Sequence, residues 1–217
     1  MAVEAVIWDF GGVFTSSPFE AFNRFEAEKG LPKDLIRRIN ATDPDTNAWA
    51  LFERNEVDAA GFDAKFAEEA AALGHEVRGR DVLPLLSGQV RPAMVAALKT
   101  CKQHFKVGCI TNNVVSTHSP GLADRPVSIF GQIMGDFDAI IESSKAGVRK
   151  PDPKIYLMMC ELLSVAPAAC VYLDDLGINC KPAAQLGMKA IKVVSVEQTL
   201  AELATATGLS FDAEAAA

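Results

Sequence analysis

The sequence predicts a doubly wound α/β fold, a parallel sheet with helices on both faces. Five short β-rich runs, "VEAVIW", "FKVGCI", "FDAII", "ACVYL" and "KAIKVV", alternate with helical stretches, the pattern of strands joined by helical crossovers. Three of these runs end in polar residues, which a parallel sheet brings to one edge. The 217 residues suit one large domain, or one domain carrying a smaller insertion.

The first run stops at Asp9, two and three places before Gly11 and Gly12. Burying an unpaired carboxylate costs on the order of several kcal/mol or shifts its pKa, so Asp9 needs partners. Both glycines are expected to let the backbone turn tightly beside it. The following interval, Thr15 to Gln89, has helical patterns and no convincing strand. Phe19, Phe22 and Phe25 share one helical face, as do Phe62, Phe66 and Ala70, and Gly30 and Gly74 stand where helices should end. Core packing explains the Phe stripes better than an aromatic ligand box. Because the interval is too long for a loop, residues 15–89 are expected to form an inserted helical subdomain, with 1–14 and 90–217 as the α/β core. Val114 to Asp136, rich in Ser, Pro and Gly, is expected to be a long loop with at most a short helix. Val196 to Thr207 reads as a closing helix and the Ala-rich end as a frayed tail.

Composition narrows the function. With 49% hydrophobic and 23% charged residues the chain is an ordinary globular one, and a net charge of −7 argues against nucleic-acid or anionic-membrane partners. The first apolar run is short and follows no basic region, so neither a signal peptide nor a membrane span is expected and a cytoplasmic location is the default. Five cysteines without C-x-x-C spacing read as reduced, mostly buried thiols, and His75, His104 and His118 lack metal-ligand spacing.

The polar strand ends carry the chemistry. Asp9, the pair Thr111 and Asn112, and the pair Asp174 and Asp175 follow three of the runs and should meet at one edge. Three carboxylates there would raise each other's pKa unless a cation sat among them, and few carboxylates plus waters and a phosphate suit Mg²⁺. In "GVRKPDPKIY", Asp152 is the expected N-cap and Pro153 the first helical residue, which puts Lys150 just before a helix start. There it meets an anionic ligand or is an ordinary surface charge.

Together these stretches resemble the haloacid dehalogenase-like hydrolase superfamily. "DFGGVF", "ITNN", Lys150 in "GVRKPDP" and "YLDDLGIN" resemble its four motifs, from Val3 to about Leu203, and the helical insertion sits where that family carries its C1 cap. "IIESSKAGVRKPDPKIY" and "VYLDDLGINCKPAAQLGM" look closest to the amino-terminal phosphatase domain of soluble epoxide hydrolases and to relatives fused to acyl-CoA dehydrogenases. The resemblance implies a Rossmann-like core and Asp9 as a nucleophile that forms an aspartyl-phosphate. It implies that Thr111 and the Asn112 backbone hold phosphoryl oxygens and that Lys150 neutralises charge. It further implies Mg²⁺ bound by Asp9, the Gly11 carbonyl and Asp175, with Asp174 and Asn179 supporting that shell.

Gly11 departs from the pattern, since most phosphatases of the family have an aspartate there as general acid. Its loss costs about 10²–10⁴ in rate. The reading is a Mg²⁺-dependent phosphomonoesterase for a small phosphorylated metabolite, with slow turnover or leaving groups that need little protonation. Two alternatives are a 2-haloacid dehalogenase, whose halide leaves without a proton, and a phosphate-binding regulatory module with little catalysis. Specificity is expected from Phe14, Thr15 and Ser16 beside the nucleophile and from Trp49, Glu53, Arg54 and Asn55 on the insertion. Ordinary helix surface or insertion core is the simpler account of those last four.

Overall fold

The computed structural model describes residues 2–86, 88–112 and 129–211. His118, residues 113–128 of the Ser/Pro/Gly-rich stretch and the Ala-rich tail lie outside the described residues.

All five predicted strands form: β1 (Ala5–Trp8), β2 (Lys106–Thr111), β3 (Ala139–Glu142), β4 (Cys170–Asp174) and β5 (Lys189–Lys192). They make one parallel sheet in the order β3-β2-β1-β4-β5. Alternating side chains explain why both faces are covered. Val6 and Trp8 of β1 join Val107, Cys109, Val171 and Leu173 on one face, packed by α6 (Pro92–Lys102) and α11 (Val196–Thr207). Ala5 and Ile7 join Ile110, Ile141 and Tyr172 on the other, packed by α9 (Pro153–Leu163) and α10 (Gly177–Gln185). Strand order turns at β1 and β4, so their carboxyl ends open the crevice where such sheets bind ligands.

Between β1 and α6 the chain forms α1 (Pro18–Glu28), α2 (Leu35–Ala41), α3 (Ala48–Glu53), α4 (Ala59–Ala72) and the short α5 (Gly79–Val82) followed by a 3-10 turn. These helices own a separate core. Phe62 lies at its centre, with ring centroids 4.8 Å from Trp49, 4.8 Å from Phe52 and 5.5 Å from Phe66. The spacing of the Phe residues is thus core packing, with Phe19 and Phe25 at the margin. Gly30 and Gly74 end α1 and α4 at positive φ, and the Leu31 and His75 N–H groups reach back to the Glu26 and Ala70 carbonyls in Schellman closures. An antiparallel bridge between Thr15 and Val90 joins the two chain segments that lead into and out of these helices.

The remaining helices are short: α7 (Ile129–Gly135), at the end of the stretch expected to be irregular, and α8 (Ser143–Ala146). Pro153 and Asp152 open α9 as the sequence predicts, the Asp152 carboxylate accepting from the Lys154 N–H at 2.9 Å. All five cysteines are free and buried. No helix among the described residues is long and apolar enough to cross a membrane.

Candidate active site

The carboxyl edge of the sheet gathers Asp9, Thr111, Lys150, Asp174 and Asp175. Asp9 follows β1 immediately, its N–H bonded to the Leu173 carbonyl at 2.8 Å. Lys150 is 1% exposed, so it is not a surface charge. Its Nζ lies 2.7 Å from Asp9 Oδ1 and 2.9 Å from Asp174 Oδ2. The partners that Asp9 required are these.

Asp174 is fully buried and its oxygens are saturated. Oδ2 accepts from Lys150, from the Tyr172 hydroxyl at 2.5 Å and from Asn179 Nδ2 at 3.1 Å, while Oδ1 accepts from the Leu176 N–H at 2.8 Å and from the same amide. Its lone pairs anchor Lys150. Asp9 is less engaged: Oδ1 also accepts from the Phe10 N–H at 2.7 Å, and Oδ2 accepts nothing among the described residues. Asp175 accepts a long bond, 3.3 Å, from the Ser17 hydroxyl and from no other side chain among the described residues.

Among the described residues three carboxylates therefore face one ammonium, and the shifts of Asp9 and Asp175 record the excess. Burial pushes Asp9 up to about 8; Lys150 opposes that, and Asp174 and Asp175 add to it. Burial and then Asp174 push Asp175 up to about 6. Burial works against the Lys150 ammonium, yet Asp174 and Asp9 outweigh it and raise its pKa.

This surplus suits a divalent cation. One oxygen each from Asp9, Asp174 and Asp175 lie within 4.8 Å of one another, and with Asp174 saturated, Asp9 and Asp175 keep the open lone pairs. The Gly11 carbonyl, two residues after Asp9, accepts no hydrogen bond among the described residues. An all-oxygen set of this kind fits Mg²⁺.

Both glycines lie in the turn that the Phe14 N–H closes on the Phe10 carbonyl, but they differ in what the turn asks of them. Gly12 stands at φ +74°, and a Cβ there would lie 2.2 Å from Asp175 Oδ2. Gly11 has no positive φ, and a Cβ there would meet nothing within 4 Å. Gly12 is required by the backbone and by Asp175. Gly11 leaves room for a side chain that the chain does not supply.

Thr111 ends β2, 8% exposed, and Asn112 follows. Asn112 braces the Lys150 segment: its Oδ1 accepts from the Lys150 N–H at 2.9 Å and its Nδ2 donates to the Lys150 carbonyl at 3.1 Å. Asn179 is buried on Asp174. Of the four insertion residues singled out, Trp49 lies in the aromatic core, Arg54 pairs with Glu56, and Asn55 turns the chain at φ 61°. Glu53 lies 2.7 Å from Arg149 Nε of the sheet domain, and Arg54 lines a cleft with Gly147, Val148 and Pro151.

Sequence reasoning missed Tyr172 and Arg149. Tyr172 could have been found, because residues two apart on a strand share a face and Asp174 is two residues on. The pairing of Arg149 with Glu53 has no local signal.

The fold is a doubly wound parallel sheet with an acidic carboxyl edge. A family model for haloacid dehalogenase-like hydrolases matches residues 3–187, and the chain belongs to that family. It is similar to mouse (Mus musculus) acyl-CoA dehydrogenase family member 10, 31% identical over 94% of this chain and 19% of that protein. Mouse bifunctional epoxide hydrolase 2 is 27% identical over 97% of this chain and 40% of its own length, so the chain spans less than half of either relative. A phosphatase of Mycobacterium tuberculosis is 28% identical over 92% of this chain and 91% of its own. Among solved structures, an enzyme of the family from Bacteroides thetaiotaomicron in complex with magnesium and inorganic phosphate superposes with TM-score 0.61 at 18% identity, covering 88% of this chain and 94% of that one. The L-2-haloacid dehalogenase of Xanthobacter autotrophicus gives 0.59, also at 18%, over 94% and 82%. At that identity the structural likeness speaks for the fold and does not choose between the two chemistries.

Proposed function

We propose that the chain is a Mg²⁺-dependent phosphomonoesterase for a small phosphorylated metabolite, working through an aspartyl-phosphate on Asp9. The observation that carries this is the excess of carboxylate over ammonium around Asp9. A metal-free dehalogenase has no use for the Asp174 and Asp175 pair, whereas a phosphatase uses it to hold a cation and a lysine.

In this reading an Asp9 oxygen attacks phosphorus in line with the leaving oxygen, the P–O ester bond breaks, and water then hydrolyses the adduct. Lys150, fixed by Asp174, orients Asp9 and offers positive charge to the phosphoryl group. The Thr111 hydroxyl and the Asn112 N–H donate to its equatorial oxygens. Tyr172 and Asn179 act through Asp174 and are positioning residues. Asp9, Asp175 and the Gly11 carbonyl would hold Mg²⁺. When bound, the ion would keep Asp9 ionised and withdraw charge from the phosphoryl oxygens. Residues 15–89 work as a cap that excludes water from the edge.

With glycine at position 11, the leaving oxygen departs without a protonating side chain from that position. Phosphate release from esters of graded leaving-group pKa should therefore fall steeply as the leaving group becomes more basic, and should need both Mg²⁺ and Asp9. Halide release from 2-haloacids in EDTA would instead favour the dehalogenase, and phosphate binding without turnover the regulatory module.

A further inference from the structure

Glu53 is the end of α3, and three residues of the sheet domain hold it. The Ser143 hydroxyl donates to its carbonyl at 2.8 Å. Arg149 Nε lies 2.7 Å from Oε2, and Asn112 Nδ2 lies 3.4 Å from the same oxygen. Arg149 also donates to the Pro44 carbonyl at 2.7 Å, so it grips the insertion at two points. A long acidic side chain is thereby fixed beside Asn112, which itself braces Lys150, which in turn touches Asp9.

Only Oε2 is engaged. Oε1 accepts no hydrogen bond among the described residues, and the side chain is 16% exposed. In-line displacement places the leaving group opposite Asp9, the side that the insertion covers in the reading proposed above. A carboxylate waiting there accepts hydrogen bonds and repels further anions, and its rotamer entropy is already lost to Arg149.

We infer that Glu53 selects the substrate class: Oε1 accepts a hydrogen bond from a hydroxyl or ammonium group on the leaving group, so the substrates are monophosphates of polyols or amino alcohols, and leaving groups with a second anion are rejected. This rests on the phosphatase reading above, and it assigns Glu53 a role in substrate binding in addition to its grip on the sheet domain.

The test is kcat/KM for propyl phosphate, glycerol 1-phosphate, ethanolamine phosphate and 3-phosphonooxypropanoate with wild type and Glu53→Gln, melting temperature reporting folding. Wild type should favour the hydroxyl and ammonium esters over propyl phosphate by about tenfold or more, as expected for hydrogen bonds to a charged group, and should disfavour the carboxylate ester. Glu53→Gln should lose the ammonium preference and relax the discrimination against carboxylate. Equal loss on all four esters would overturn the inference and leave Glu53 as a positioning residue. If the variant does not fold, the wild-type order alone decides: no preference over propyl phosphate overturns the inference. If wild type turns over none of the esters and no aryl phosphate either, the phosphatase reading fails separately. The same four compounds are then ranked by thermal shift on the Asp9→Asn protein with Mg²⁺, where the same order supports the role of Glu53 and a flat series refutes it.

Discussion

Asp9 at the sheet edge and Asp63 in the insertion expose similar small fractions, 8% and 9%, but Asp9 lies deep in the protein and Asp63 near its surface, and their environments push them in opposite directions. Asp63 accepts from the Arg78 guanidinium and from the Arg80 N–H, and the Arg78 hydrogen bond holds its carboxyl below the ordinary range. Asp9 shares one lysine with Asp174, faces Asp175 as well, and is pushed up to about 8 by burial. The insertion satisfies its acid; the edge leaves its acids in excess. A fold that needs an aspartate only for structure surrounds it with donors, whereas one that uses it keeps lone pairs open and retains the repulsion.

Exchanging each acid for its amide gives the largest contrast. Asp9→Asn should reduce phosphate release by about 10⁴-fold or more, as for loss of a nucleophile, with an unchanged or higher melting temperature in EDTA because repulsion is relieved. Asp63→Asn should lower the melting temperature and leave turnover unchanged. Kinetics and thermal melts on both variants check this, and a destabilised Asp9→Asn would break the comparison.

Lys150→Met removes the one ammonium between two buried carboxylates and should destabilise by about 3–5 kcal/mol, besides abolishing activity. Denaturant unfolding measures it. Adding Asp174→Asn to Lys150→Met should recover part of the loss, because one unpaired charge disappears.

The glycines come next. Gly11→Asp fits the open space and should raise turnover of alkyl esters by about 10²-fold while flattening the leaving-group dependence, since it supplies the absent proton donor. Gly12→Ala strains the backbone and drives a methyl into Asp175, so both activity and melting temperature should fall. Equal effects at both positions would contradict the distinction drawn between them.

The smallest effect is in the pH dependence of stability. Asp9 is raised from 3.8 to about 8, so the folded state keeps a proton that the unfolded chain has released. Its stabilisation is full below its ordinary value and is lost as pH rises toward 8; Asp175 adds a similar loss up to about 6. Melting temperature in EDTA should therefore decline across that range, Mg²⁺ should offset the decline, and Asp9→Asn should flatten it. Asp63, lowered, contributes stability that is lost only as pH falls below its ordinary 3.8. Asp63→Asn should remove that acid limb and leave the neutral one.

Much of the edge was legible in the sequence because parallel strands carry their polar termini to one place. Asp9, Thr111, Asn112, Asp174 and Asp175 could be brought together from their places at strand ends, whereas the place of Lys150 before a helix start left a surface charge equally open and only the family resemblance put it in the site. Tyr172 was equally readable, since it shares a strand face with Asp174, but an aromatic in a β-rich run also reads as core. Glu53 and Arg149 were not readable as a pair: their contact depends on how α3 meets the segment before α9, which no local periodicity encodes. The difference between Gly11 and Gly12 needed coordinates, because a glycine pair signals a turn without saying which residue takes the positive φ.

The central claim is that Asp9 carries the phosphoryl group. Rapid acid quench of wild type and Asp9→Asn mixed with a ³²P-labelled aryl phosphate and Mg²⁺ tests it most directly. Label on the wild-type protein, formed and discharged within the time of one turnover and absent from Asp9→Asn or in EDTA, is the predicted result. Phosphate release by wild type at full rate with no protein-bound label at any quench time, or a labelled Asp9→Asn protein, would contradict the account.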